Sequence, residues 1–392
     1  MWLKRFSVVL AALVAAPTVA AEPETLPPYV PAYEPTTVDE RGLWSQADEL
    51  ELLYKRSEHL IDDEELNAFV RRILCSTVGN DRCDGVRIYI LNIPAFNASM
   101  MPNGAMAIWS GLLLRLRSEA NLASVLAHEF AHFELRHSLQ GFKNRRSTSD
   151  LLAWTVVLGN AAVVDTRNSQ ISLVGSIFRF NRDMERQGDL LALKYLRQSP
   201  YPSRASSQVW QYLMEEADAR AAGRKIRRKD RYRAGFFDTH PTSLDRADYL
   251  LEKSMEYGDI GNAEQSAYFE AIRPWLPKLL ADQVRLNDFG GTEYLLGNIA
   301  GVTGWIPELV LARAELFASR GKPRDLITAT TLYLDAIDKG HETSEVLRGL
   351  GLSLVKSGRR KEGAEYLERY LAQNPDAPDA AIIRMYVPNG DE

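Results

Sequence analysis

His128-Glu129-Phe130-Ala131-His132 lies inside a helical run from Ser118 to His137. On a helix, residues four apart share a face one turn apart. Two imidazoles so placed reach one zinc ion at about 2.0–2.1 Å. Glu129 sits one position beyond the first His, rotated off the ligand axis, where it can face an attacking water as general base. Ser118 is the expected N-cap of this helix, with Glu119 in its first turn.

A second helix, expected over Met184 to Leu196, carries Glu185 and Asp189, again four apart. Glu185 is the expected third ligand, giving a two-His, one-Glu site for one zinc per chain with its fourth position open. Asp189 is placed to accept a hydrogen bond from a ligand imidazole and fix its tautomer. Asp238-Thr239-His240-Pro241 offers one of only six His in the chain. His240 either bonds the developing oxyanion or swings onto the metal and keeps the site latent. His137 reads as a positive charge at a helix C-terminus rather than as a ligand.

The N-terminus reads as a secretory signal peptide over residues 1–21, with Lys4 and Arg5, an apolar run from Ser7 to Ala16, and cleavage near Ala20 or Ala21. The whole chain has 47 basic and 52 acidic residues; without Lys4 and Arg5 the net charge is about −7. That balance argues against nucleic acid as a partner. Export makes a disulfide the expected state of Cys75 and Cys83, the only two cysteines.

Residues 22–42 are Pro-rich and expected to be extended. Helical patterns cover Leu43 to Leu60 and Glu64 to Leu74, strands are expected at Val86 to Leu91 and Ala105 to Trp109, and Pro94 to Gly104 reads as irregular. Leu151 to Val164 is nearly all apolar yet too short for a comfortable span. It reads as a buried helix, or alternatively as a peripheral membrane contact or groove lining. Arg220 to Arg233, with eight basic residues in fourteen, reads as a solvated loop or a flap near His240. From Asn262 onward the pattern is helix after helix. Leu347, Leu350, Gly351 and Leu354, then Gly363, Leu367 and Pro375, follow tetratricopeptide spacing. The expected fold is therefore mainly α (α+β): a metallopeptidase domain with a small sheet over residues 43–258, then an all-α repeat domain over 262–392.

Four blocks together resemble the M48 peptidases, a gluzincin family. They are Asn97-Ala98 with Pro102, Gly104 and Gly111-Leu112; Leu126 to His132 ending in Arg136-His137; Arg182, Glu185 and Asp189; and Thr239-His240-Pro241 with Arg246. Gly188 departs from the Ala usual there. The resemblance, with the signal peptide and helical repeats, is to the periplasmic branch of the family. It implies an endopeptidase acting on unfolded or misassembled envelope proteins, with the repeats docking to outer-membrane assembly machinery. It also implies that an extended substrate adds a strand at the sheet edge, for which Met100 to Ile108 are the expected residues, with Met106→Pro expected to spare zinc and reduce cleavage. The alternative is an assembly chaperone or scaffold whose zinc site is structural or latent.

Overall fold

In the computed structural model, residues 34–147, 180–226, 244–258 and 265–387 are described. The expected signal peptide, most of the Pro-rich stretch, Leu151 to Val164, half of the basic run and His240 lie outside them.

The chain opens with α1 (Val38–Lys55), started by a capping box between Thr37 and Glu40. Then come α2 (Glu64–Val78), capped by Asp63, and the one-turn α3 (Asn80–Cys83). Strands β1 (Arg87–Leu91), β2 (Ala98–Met100) and β3 (Ala105–Trp109) follow. They form one sheet in the order β1-β3-β2, with β1 parallel and β2 antiparallel to β3. The stretch expected to be irregular thus contains a strand. With only three residues, β2 has no alternation to read, and its pairing with β3 is what defines it. Met106 is consequently fully buried in the central strand, partnered by Ile88 on one side and Met100 on the other. Pro there would remove a ladder hydrogen bond from the middle of the sheet, so the expected edge role of Met106 is corrected: the edge is β2.

Short α4 (Ser110–Arg115) leads into α5 (Glu119–Glu134), which carries the His-Glu-x-x-His run. Ser118 caps it as expected, its hydroxyl accepting from the Asn121 N–H at 3.1 Å. Its far end is tied by Glu134, which accepts from Arg82 at 3.1 Å and from the Tyr195 hydroxyl. Arg82 is itself held in place because Cys75 and its neighbour Cys83 form the expected disulfide, stapling α3 to the end of α2.

After α6 (His137–Ser147) the described chain resumes at Phe180. It continues through α7 (Arg182–Arg197), capped by Asn181, α8 (Ala205–Gly223) and α9 (Leu244–Tyr257). Then follow α10 (Gln265–Ile272), a 3-10 turn at Arg273–Trp275, α11 (Leu276–Arg285), α12 (Phe289–Thr303), α13 (Pro307–Arg320), α14 (Pro323–Asp338), α15 (Ser344–Lys356), α16 (Arg360–Gln373) and α17 (Ala380–Arg384). The fold is mainly α with one small sheet.

Alternation along the strands sends side chains to two cores. Ile90, Met106, Ile108, Ala98 and Met100 pack against α2 and α5. Tyr89, Leu91, Ala105 and Ala107 pack against α1 and against Phe180 and Met184. The first core does not stop at the expected boundary near 262. Tyr268, Leu276, Leu296, Leu309 and Leu316 share it with Leu126 and Phe130 of α5. Polar contacts cross with them: buried Arg115 bonds Glu216 through Nε at 2.7 Å and Nη2 at 2.8 Å, and Nη2 also reaches Gln283. Further on, α13–α14 and α15–α16 are antiparallel hairpins. Where α15 and α16 cross, a Cβ on Gly363 would stand 2.7 Å from the Gly351 carbonyl oxygen, so only glycine permits the approach.

Glu51 pins α1 to the sheet. It accepts from Arg87 Nε and Nη2, Tyr89 Oη and Asn103 Nδ2 at 2.6–2.9 Å. The Arg87 bond, helped by Tyr89 and Lys55 and opposed by burial, holds its carboxyl down at about 2. Its folded pKa is depressed, so its contribution is present above the unfolded value of 4.5 and lost as pH falls toward 2. Unfolding measured from pH 7 to pH 2 should show the wild type losing about 2–3 kcal/mol through this window. Glu51→Gln should be less stable at pH 7, with a flatter acid slope; equal slopes would rule the contribution out.

Candidate metal centre

α5 and α7 pack side by side, and three side chains converge where they meet. His128 Nε2 lies 3.0 Å from His132 Nε2 and 3.5 Å from Glu185 Oε2, and His132 Nε2 lies 3.8 Å from Glu185 Oε1. All three are buried. They are the group among the described residues whose ligand atoms all lie within 4.8 Å of one another. Two imidazole nitrogens and a carboxylate form the donor set of a tetrahedral zinc site with one open position, so the residues present fit that ion.

Asp189, one turn beyond Glu185, meets His128 from the other side, with Oδ1 3.0 Å from Nδ1. Burial and the Arg246 charge pull the His128 imidazole down, but hydrogen bonds to Asp189 and Glu185 outweigh them and hold it at about 9. Burial raises Asp189, yet Arg246 and His128 keep it below the usual carboxylate range.

Arg246, seen in sequence only as part of a block, organises this acid pair. Its Nε and Nη2 bond Asp189 at 2.6 and 2.7 Å, and its Nη1 lies 2.7 Å from Glu185 Oε2. Its Nη2 is also 3.1 Å from His128 Nε2, and its guanidinium stacks on Trp210, 4.4 Å from the ring centroid. The Tyr249 hydroxyl donates to Asp189 as well.

His132 is positioned differently. Phe180 stacks on its ring at 4.0 Å, with 14° between the planes. On the α7 side Gly188 leaves room: a Cβ there would sit 3.0 Å from His132 Nε2. Gly188 therefore does more than remain small, since it lets the helix backbone come up to the ring. His137 is fully buried, with Nδ1 2.8 Å from His132 Nδ1 and Nε2 3.2 Å from Gln187 Oε1. Burial holds its imidazole below the usual range. It is not the helix-end charge expected from sequence. Arg136 adopts φ 56°, ending α5, and the chain turns so that His137 starts α6 beneath His132.

Beside the converging ligands lies a narrow, partly open cleft. Glu129 and His128 form one part of its wall. The rest is chiefly apolar: Phe96, Ala98, Val125, Val209 and Trp210.

Residues 58–254 match the model of peptidase family M48. The chain belongs to peptidase family M48. Among its curated relatives, the mitochondrial metalloendopeptidase OMA1 of Schizosaccharomyces pombe is 28% identical over 162 residues, 41% of this chain and 44% of its own. The putative beta-barrel assembly-enhancing protease of Vibrio cholerae is 27% identical over 192 residues, 46% of this chain and 39% of its own. The beta-barrel assembly-enhancing protease of Yersinia pestis is 25% identical over 236 residues, 54% of this chain and 48% of its own. The chain thus spans less than half the length of these relatives. Among the described residues, no helix is long and apolar enough to cross a membrane.

Proposed function

We propose that this protein is a zinc metalloendopeptidase, with His128, His132 and Glu185 as the metal ligands and Glu129 as the general base. The observation that carries this reading is the convergence of those three ligands beside a cleft whose wall includes Glu129. When bound, zinc acts as a Lewis acid on a water and on the scissile carbonyl. Glu129 takes the proton of the attacking water and passes it to the leaving amine. Asp189 holds the His128 ring, and Arg246 bridges the Glu185 and Asp189 carboxylates and holds them in place. The apolar wall receives a substrate side chain next to the scissile bond.

Substrate lies along β2. With Ser99 opposite Ala107, and Trp109 N–H bonding the Asn97 carbonyl, the backbone groups of Ala98 and Met100 point away from β3. An unfolded chain pairs with them as an added strand. Ala98→Pro removes one outward N–H and no ladder bond. It should keep metal content and fold while cleavage of an unfolded protein falls about tenfold or more, on the scale of one or two lost hydrogen bonds to the transition state. Unchanged cleavage would move the substrate elsewhere.

The biological setting we propose is the periplasm, after removal of residues 1–21, with misfolded or stalled envelope proteins as substrates. Two relatives named as beta-barrel assembly-enhancing proteases support it. The peptidase domain we propose spans 43–258, with its core shared by the helices that follow, and tetratricopeptide-like hairpins within 262–392 dock the partner. The test is metal analysis of the purified protein beside casein cleavage by wild type and Glu129→Gln. About one zinc per chain in both, with cleavage only by the wild type, is the expected result. Zinc in both and cleavage in neither would instead favour the chaperone or scaffold reading, and no zinc in either would remove the metal reading.

A further inference from the structure

We infer that His137, oriented by Gln187, is a positioning residue that sets the tautomer of His132 and so aims the His132 Nε2 lone pair at the metal. This inference rests on the metal site proposed above and deepens it.

The two ring nitrogens of His132 lie on opposite sides of the imidazole. Nε2 faces His128 and Glu185, while Nδ1 faces His137 Nδ1 at 2.8 Å. Between two imidazole nitrogens at that distance one must donate and the other accept. The Gln187 carbonyl oxygen decides which. It lies 3.2 Å from His137 Nε2 and accepts, so the neutral His137 ring carries its hydrogen on Nε2 and presents a bare Nδ1. His132 must then donate from Nδ1, which leaves its Nε2 unprotonated, the form a metal ligand requires. The opposite tautomer would place a hydrogen on Nε2, pointed at the other ligands.

Asp189 does the same for His128, so the two imidazoles are held by unlike partners. Asp189 is ionised and paired with Arg246. His137 serves as an acceptor without adding a third buried carboxylate to a pocket that already holds Glu185 and Asp189. Phe180 and Gly188 bracket the His132 ring and fix its plane. His137 meets its Nδ1 at 2.8 Å.

The experiment is zinc affinity by chelator competition on the full chain, with thermal unfolding in excess chelator as a measure of the metal-free fold. His137→Phe keeps an aromatic ring and removes the acceptor. Its zinc dissociation constant should rise about 10–100-fold, the usual range for losing such a partner. His137→Asn offers Oδ1 near the place of Nδ1 and should recover most of that loss although it packs less well. Gln187→Leu, at an exposed position on α7, should weaken zinc in the same direction by less, with an unchanged metal-free melting temperature. Wild-type affinity in His137→Phe, or an Asn variant no better than Phe, would overturn the inference and leave the metal site standing. A wild type that takes up no zinc would instead overturn the proposed function, and the inference with it. If both His137 variants fail to fold, Gln187→Leu decides: unchanged affinity there counts against the relay.

Discussion

Glu129→Gln is expected to lower the turnover of an unfolded protein substrate by about 10²–10⁴-fold, the range supplied by a positioned general base. The amide cannot take a proton from water at neutral pH, yet it has nearly the shape of the carboxylate. Glu129 is buried beside His128 but is not among the converging ligand atoms. Metal content should therefore stay near wild type, and the melting temperature should change little. Measured at saturating substrate, the loss should fall on kcat with KM nearly constant, because proton transfer belongs to the transition state. A variant retaining more than about a tenth of wild-type kcat would assign the base elsewhere.

Arg246→Met is expected to destabilise the metal-free protein by about 3–5 kcal/mol, the cost of leaving buried charge without its partner. One guanidinium pairs with two carboxylates, Glu185 and Asp189, and each is only 4% exposed. Methionine preserves some packing against Trp210 but answers neither charge. Saturating zinc should restore part of the loss, because a cation beside Glu185 replaces one of the two missing interactions. Asp189 would remain less well compensated. Chemical unfolding in chelator and in zinc checks both statements. A loss below about 1 kcal/mol in chelator would mean that the carboxylates take up protons instead.

The parts of the site legible in sequence are those that local geometry dictates. His128 and His132, and Glu185 and Asp189, are each four apart on a helix, so spacing alone puts each pair on one face. That the two faces meet is a tertiary fact, supplied here by the packing of α5 on α7. His137 was misread because continuing the helix past Leu135 carries it away from His132. The turn at Arg136, a residue with no evident propensity for positive φ, brings it back. Phe180 lies far from its neighbours in sequence and carries no motif. The strand Ala98–Met100 is too short to announce itself, and misplacing it put the sheet edge at Met106. The disulfide was legible from a cysteine count joined to an expectation of export.

The buried Arg115–Glu216–Gln283 cluster bears on how a distant partner would be felt at the cleft. Gln283 passes the contact on to Thr292 at 3.0 Å, and Leu309 and Leu316 of the first hairpin sit in the same apolar mass as Leu126, two positions before His128. A partner that gripped that hairpin would hold α5 at a set distance and angle. The hairpins would then work as a ruler rather than a leash. Bonds would be cut by how far they lie from the gripped point, and a substrate too short to reach between the two would be spared however well its sequence suits the cleft.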